Sequence, residues 1–249
     1  MGLLDNKVAF VTGAGSGIGK AIAIQYAVEG AKVVVSDINE AQGNAVVNEI
    51  DALGGDAIFV KANASVAEDI EHLVGKTVDT YGRLDIACNN AGVTGTMAKT
   101  ADLRIEDWHK ALDINLHGVF YGVKYAINQM LKNDGGVIVN MGSIHSITAV
   151  PNSIAYAASK HAVLGITRNV AVEYGTSNIR CHAVGPGYID TPLLANLSAE
   201  AKQGLIAKHP IGRLGTAEEV ANLVVYLSSE KSSFMTGGYY AIDGGYTAI

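Results

Sequence analysis

The chain has 249 residues, a formal net charge of −6, nearly half of its residues apolar and only four prolines. That length suits one large α/β domain with a well-buried core, and no proline-rich linker, repeat or run of like charge divides it. The acidic balance excludes the clustered Lys and Arg of a nucleic-acid surface, and no apolar run reaches the about 18 residues of a membrane span.

The opening "MGLLDNKVAF" has no basic region ahead of a long apolar core, so no secretion signal is expected. A myristoylation motif would need Ser or Thr where Asn6 stands. A soluble, cytoplasmic protein is the expectation, organised as a single domain over 1–249. Strand-like runs then follow in order: "KVAFVT" (7–12), "AKVVVSD" (31–37), "DAIFVKA" (56–62), "RLDIACNN" (83–90), "GGVIVNMGS" (135–143), "NIRCHAVGP" (178–186) and "GGYYAIDGG" (237–245). Stretches of helical periodicity separate them, one reaching from the first strand to about Gly30 and another starting near Asn39. Seven strands alternating with helices predict a doubly wound, Rossmann-type parallel sheet covered on both faces. In such sheets ligands sit beyond the carboxyl ends of the strands.

The turn after the first strand reads "VTGAGSGIGK" and poses a choice of phosphate. Aligned as a Walker loop, Gly19-Lys20 puts Ala14 at the first glycine and Ala21 at the magnesium hydroxyl, so an ATP site fails. The strict dinucleotide pattern would need glycine at Ile18. What fits is T-G-x-x-x-G-x-G, with Thr12, Gly13, Gly17 and Gly19, and with Ser16 and Ile18 within the turn. Its N–H groups and the following helix N-terminus suit a pyrophosphate. Asp37 ends the second strand 18 residues beyond Gly19, near the offset of an acid that binds adenosine ribose hydroxyls. An acid there repels a 2′-phosphate and favours NAD over NADP; a helix N-cap is the plainer use of the same residue.

Thirteen residues beyond Ser143 comes "YAASK", with Tyr156 and Lys160 one helical turn apart if 154–174 is helical. Tyrosine titrates near 10, and lowering it by about 2–3 units takes about 3–4 kcal/mol. One cation at about 4–5 Å supplies that order of energy at an effective dielectric near 20. Cys88 and Cys181 lie in apolar stretches without a CxxC pair and read as buried free thiols. The seven histidines lack ligand spacing, so no metal site is expected.

Together these residues resemble the short-chain dehydrogenase/reductase family in its compact form. The match runs nearly end to end: "TGAGSGIG", "NNAG" at 89–92, Asn115 in "INLHG", Ser143, "YAASK", "GPG" at 185–187 and "DGG" at 243–245. The resemblance implies that Tyr156 is the acid/base, that Lys160 holds the nicotinamide ribose and lowers the Tyr156 pKa, and that Ser143 orients the substrate oxygen. It implies a proton-relay water on Asn115, where a polar kink in a helix is the plainer reading. Asn90, with Ala91 and Gly92, would brace the sheet and line the cofactor. Ile189 and Thr191, after Pro186 and Gly187, would meet the nicotinamide carboxamide. NAD(H) is the implied cofactor, and a homotetramer the implied assembly.

Two departures stand out. Asn63 occupies a place where many relatives have Asp, and Ser146 one where many have Gly, with His145 before it. His145 faces either the pocket or its own loop. The expected reaction interconverts secondary alcohols and ketones. An acyl-carrier-protein ketoreductase, disfavoured by Asp37 and the acidic charge, or a sugar or diol dehydrogenase is the nearest alternative, and an idle NAD-binding scaffold a more distant one. The pocket is expected from 93–98, 144–152 and an insertion at 187–210. Its candidate walls are Ile144, His145, Ile147, Val150, Tyr188, Leu193, Leu194 and Leu197, with Lys202 and Lys208 isolated near the far end of the insertion. Such walls favour apolar ketones over sugars.

Overall fold

The computed structural model describes residues 2–195 and 197–248; Met1, Asn196 and Ile249 of the expected 1–249 domain lie outside the described residues. Short apolar runs form the strands β1 (Val8–Thr12), β2 (Lys32–Asp37), β3 (Asp56–Lys61), β4 (Ile86–Asn89), β5 (Gly136–Met141), β6 (Ile179–Pro186) and β7 (Tyr239–Ile242). Between them lie α1 (Gly17–Val28), α2 (Glu40–Ala52), α3 (Ala67–Tyr81), α4 (Ile105–Leu112), α5 (Gly118–Met130), α6 (Ile154–Tyr174), α7 (Ala199–Ile206) and α8 (Ala217–Ser228). All pairings are parallel, in the order β3-β2-β1-β4-β5-β6-β7. The expected doubly wound α/β sheet is the fold that forms.

Alternation along each strand divides the core. Ala9, Val11, Val33, Val35, Val137 and Val139 face α1, α2 and α8 through Ile22, Tyr26, Val46, Ile50, Val220 and Val224. Phe10, Val34, Ala87 and Ile138 face α3, α5 and α6 through Leu73, Val123, Met130 and Val163. Strands buried on both sides explain the near-continuous apolar runs, and each fully buried aliphatic side chain contributes roughly 1.5–3 kcal/mol. Both thiols, Cys88 and Cys181, are buried in these layers and unpaired, and burial pushes each up to about 12.

Several strands are shorter than the sequence patterns suggest, for a local reason. Gly135, Gly237, Gly244 and Gly245 take positive φ values of 104°, 72°, 56° and 88°, which end the extended backbone around β5 and β7. The chain reverses its order between β1 and β4, so a crevice opens where Thr12, Asp37 and Asn89 end their strands. Among the described residues, no helix is long and apolar enough to cross a membrane.

Candidate active site

The phosphate-type turn is built before any ligand arrives. Gly13 and Gly17 adopt φ of 63° and 54°, and a Cβ on Gly19 would overlap the Gly13 carbonyl and the Asn90 carboxamide. Asn90 fills that space by donating from Nδ2 to the Thr12 carbonyl (2.9 Å) and the Gly13 carbonyl (3.2 Å). Thr12 Oγ1 accepts in return from the Asn90 N–H (3.0 Å) and the Ala91 N–H (3.1 Å). Ser16 is the N-cap of α1 yet makes no side-chain cap bond, so it satisfies none of the first-turn N–H groups of Gly17, Ile18 and Gly19, the donors a helix start offers to an anion. Lys20 is turned away, paired with Glu49 at 2.6 Å.

Asp37 is committed to this turn. Its carboxylate accepts the Gly15 N–H and the Asn39 N–H, each at 2.9 Å. It does not cap α2: Asn39 does, accepting the Gln42 N–H at 3.1 Å. Asn63 is exposed beyond β3, and its Oδ1 is occupied by the Ser65 N–H (3.1 Å) and hydroxyl (2.8 Å). The residue therefore brings less free acceptor capacity to a ligand than its carboxamide suggests.

Across the crevice, Ser143 follows β5 and caps a short 3₁₀ turn, Ile144–Ser146. Its Oγ accepts the His145 N–H (3.1 Å), while its own N–H donates to Ser146 Oγ (3.1 Å). The Ser146 substitution thus completes a reciprocal cap, which fixes the Ser143 rotamer and leaves its hydroxyl proton free to donate. The Ser143 carbonyl accepts the Tyr239 hydroxyl at 3.0 Å. Sequence reading missed Tyr239, whose reach across from β7 has no local signal.

Helix α6 spans the range the spacing required and carries Tyr156 and Lys160 one turn apart. Lys160 is buried and donates to the Met141 carbonyl at 2.7 Å. Its Nζ lies 5.7 Å from the centre of the Tyr156 ring. Burial pulls Lys160 down to about 8 and pushes Tyr156 above its ordinary value, with the Ser143 hydroxyl drawing Tyr156 back down. The downward pull on Tyr156 comes from the Ser143 hydroxyl.

Asn115 sits fully buried in a π turn, Asp113–His117, that joins α4 to α5. Its carboxamide closes a two-bond clamp on Val93, accepting the Val93 N–H and donating to its carbonyl, both at 2.8 Å. It also donates to Ser159 Oγ (3.3 Å), which donates in turn to the Tyr156 carbonyl (2.7 Å). The observed bonds make Asn115 a brace between the 90–93 segment and the catalytic helix. Gly92 lies inside that brace, where an added methyl would stand 3.2 Å from Asn115 Oδ1 and 3.5 Å from Lys160 Nζ.

His145 faces the site. Its ring is buried and meets the rings of Tyr156, Tyr188 and Tyr246 at 6.3, 6.2 and 6.1 Å. The Thr148 hydroxyl gives its proton to the Ile144 carbonyl (2.9 Å), so His145 Nδ1 donates to Thr148 Oγ1 at 3.0 Å. That tautomer leaves Nε2 as an acceptor toward the Tyr188 hydroxyl at 3.5 Å. Burial, helped by the nearby Lys208, holds His145 at about 4 and therefore neutral.

The chain after β6 runs back alongside β7 and the turn after β1. Gly187 donates its N–H to the Ile242 carbonyl (3.0 Å). Ile189 is buried and bridges Gly215, and the Thr191 side chain lies 3.6 Å from where a Cβ on Gly17 would sit. Of the expected walls, Tyr188 and Leu194 are half-buried, while Leu193 is 67% exposed and Ile147 48%. Ile144 is fully buried and packs the core instead of offering surface. The two insertion lysines are not isolated: Lys202 pairs with Asp190 at 2.8 Å, and Lys208 lies 5.8 Å above the Tyr188 ring.

Comparison with known proteins agrees with this geometry. Residues 13–247 match the family model described as enoyl-(acyl carrier protein) reductase. The chain is 47% identical over 244 residues to cyclohexanol dehydrogenase of Acinetobacter sp. strain SE19, covering 98% of this chain and 96% of that one. It is 39% identical over 242 residues to a 3-oxoacyl-[acyl-carrier-protein] reductase of Thermotoga maritima, covering 97% and 98%. A crystal structure of a short-chain type dehydrogenase/reductase from Mycobacterium marinum superposes with a TM-score of 0.94 at 34% identity, over 99% of this chain and 97% of that one. With fold, family model and whole-length relatives in agreement, the chain belongs to the short-chain dehydrogenase/reductase family, whose dehydrogenases use nicotinamide cofactors.

Proposed function

We propose that the protein is an NAD(H)-dependent oxidoreductase that interconverts secondary alcohols, alicyclic ones foremost, with their ketones. The observation that carries this reading is the convergence of Ser143, Tyr156 and Lys160 at the carboxyl end of β5, facing a prebuilt anion cradle. The residues fit a dinucleotide: a turn through Gly13 and Ser16 that a Cβ on Gly19 would fill, a helix start at Gly17, Ile18 and Gly19 without a side-chain cap, and Asp37 anchored to the same turn. Asn63, Asn90, Ala91 and Gly92 would line the adenosine side and the floor; Tyr156 and Lys160 would hold the nicotinamide ribose; Pro186, Gly187, Ile189 and Thr191 would meet the carboxamide. When bound, the nicotinamide supplies or accepts a hydride.

The chain's own residues do the rest. Ser143, with its Oγ already accepting from His145, donates its proton to the substrate oxygen. Tyr156 gives or takes the proton of that oxygen, and Lys160 contributes positive charge near the phenol. Asn115 is a positioning residue that keeps Val93 and α6 in register. His145, Tyr188 and Leu194 shape the substrate side, closed by the insertion over 187–210. The similarity to the Acinetobacter cyclohexanol dehydrogenase supports a ring-borne secondary alcohol. The Thermotoga relative favours a second reading, reduction of a 3-oxoacyl thioester, which Asp37 and the net charge of −6 disfavour.

Free thiols suit a reducing, cytoplasmic compartment. Phe234 is fully exposed, Val172 86% and Phe120 49%, apolar surface of the kind a homotetramer covers; light scattering should give four chains of 25.9 kDa. The function is tested by steady-state oxidation of cyclohexanol and reduction of cyclohexanone beside glucose and an acetoacetyl thioester. Tyr156→Phe should remove turnover while NADH binding, followed by fluorescence, persists. A thioester rate above every ketone rate, or retention of more than a few per cent of the rate by Tyr156→Phe, overturns it.

A further inference from the structure

Asp243-Gly244-Gly245 is the one sequence motif that the catalytic reading leaves without a task. In the structure it builds a turn. Gly244 and Gly245 take φ of 56° and 88°, reversing the chain after β7. The Asp243 carboxylate then accepts the Gly245 N–H (3.0 Å), the Thr247 N–H (2.9 Å) and the Thr247 hydroxyl (2.6 Å). Those bonds outweigh the cost of burial and keep Asp243 below the ordinary carboxylate range. The turn holds Tyr246 between three other rings: His145 at 6.1 Å and 88°, Tyr188 at 6.0 Å and 68°, and His209 at 5.6 Å. His145 in turn packs at 75° against the catalytic Tyr156.

This wall offers a substrate little to bond. His145 spends Nδ1 on Thr148 and faces Tyr188 with Nε2, and His209 spends Nδ1 on the Leu205 carbonyl and Nε2 on the Tyr188 N–H. Beyond the Tyr188 and Tyr246 hydroxyls, a polyhydroxylated substrate would leave hydroxyls unpaired against it. A saturated ring presents flat C–H faces to aromatic rings and, being rigid, loses few rotamers on binding. We propose that Tyr246, locked by Asp243, is a specificity-determining residue whose ring, with those of His145 and Tyr188, selects compact alicyclic secondary alcohols over open-chain ones. The proposal rests on the alcohol–ketone reading above.

The test compares kcat/KM for cyclohexanol and 2-butanol in four proteins. Wild type should prefer cyclohexanol by at least about tenfold. Tyr246→Ala should lose about tenfold on cyclohexanol and less than threefold on 2-butanol, with KM for NAD⁺ within twofold. Tyr246→Phe should keep at least half of the wild-type preference, because the ring and not the hydroxyl makes the contact. Asp243→Asn, remote from the substrate, should reproduce the Tyr246→Ala pattern by loosening the turn. Equal losses on both alcohols, an unchanged ratio, or a Tyr246→Phe variant as impaired as Tyr246→Ala each overturn the assignment while leaving the reaction class standing. A wild-type protein that oxidises neither alcohol with either nicotinamide overturns the reaction class, and the assignment with it.

Discussion

Replacing Asp37 by Asn tests how the protein chooses its cofactor. A carboxylate offers about four acceptor positions; two are taken by the Gly15 and Asn39 N–H groups, which leaves two, the number of hydroxyls on an adenosine ribose. A 2′-phosphate removes one of those hydroxyls and brings a charge of about −1.5 to −2. Taking a separation of about 5 Å, one unit of charge against Asp37 costs about 0.8 kcal/mol in water and about 3.3 kcal/mol at an effective dielectric of 20. The phosphate's full charge raises these limits to about 1.2–1.7 and about 5–6.6 kcal/mol; Asp37 is half-buried, which places the penalty above the water limit and past the about 1.4 kcal/mol that separates cofactors tenfold. The expected result is kcat/KM at least tenfold higher with NADH than with NADPH. In Asp37→Asn that gap should shrink by about tenfold, because the isostere keeps an acceptor for the turn and drops the charge. Added salt should narrow the wild-type gap as the Debye length contracts from about 10 Å at 0.1 M to about 3 Å at 1 M. Equal use of the two cofactors by the wild type, or a gap that Asp37→Asn leaves intact, refutes the reasoning.

Tyr239→Phe removes the hydroxyl that donates to the Ser143 carbonyl; one hydrogen bond is worth about 0.5–1.5 kcal/mol, so kcat should fall roughly 3–10-fold with KM for NADH unchanged, and an unaltered kcat removes Tyr239 from the positioning of Ser143. Burial holds both His145 and His182 at about 4, below the ordinary 6.5. The folded chain therefore binds fewer protons than the unfolded chain between pH 6.5 and about 4, and stability falls as pH drops through that window. The thermal midpoint should fall less between about pH 7 and pH 4.5 in His145→Gln than in wild type; parallel falls would remove His145 as a contributor.

The parts of the site legible in the sequence are those that depend on one segment at a time. The glycine spacing at 13, 17 and 19 marks a turn because positive φ and close approach exclude side chains locally. The four-residue offset of Tyr156 and Lys160 places them on one helix face wherever that helix lies. What sequence could not resolve depends on which loops meet. Asp37 and Asn39 are both good capping residues, and only the proximity of Gly15 assigns Asp37 to the turn and Asn39 to the helix. His145 read equally well as a pocket or loop residue until Thr148 fixed its tautomer and the aromatic rings fixed its direction. Ser146 looked like a departure and is a cap. Tyr239 and Tyr246 lie about 100 residues from Ser143 and His145, so no pattern in their own segment reveals those contacts.

The electrostatics around Tyr156 bear on when it becomes a base. Burial lifts its phenol above the ordinary value of about 10, and Lys160, itself drawn down to about 8, donates one of its N–H groups to the Met141 carbonyl. Burial thus works against a phenolate at Tyr156 near neutral pH. An oxidised nicotinamide carries one positive charge, and at about 5 Å and an effective dielectric near 20 that charge favours the phenolate by about 3.3 kcal/mol, or roughly two pKa units. The expectation is that cofactor binding, more than Lys160 alone, sets the working pKa. Phenolate absorbance titrated from about pH 7 to pH 11, wild type minus Tyr156→Phe, isolates this one residue. Without cofactor the difference signal should not develop below about pH 10; with saturating NAD⁺ its midpoint should move down by about two units. A midpoint near neutral pH in the free enzyme, or one that NAD⁺ leaves in place, shows that the protein sets the Tyr156 pKa by itself.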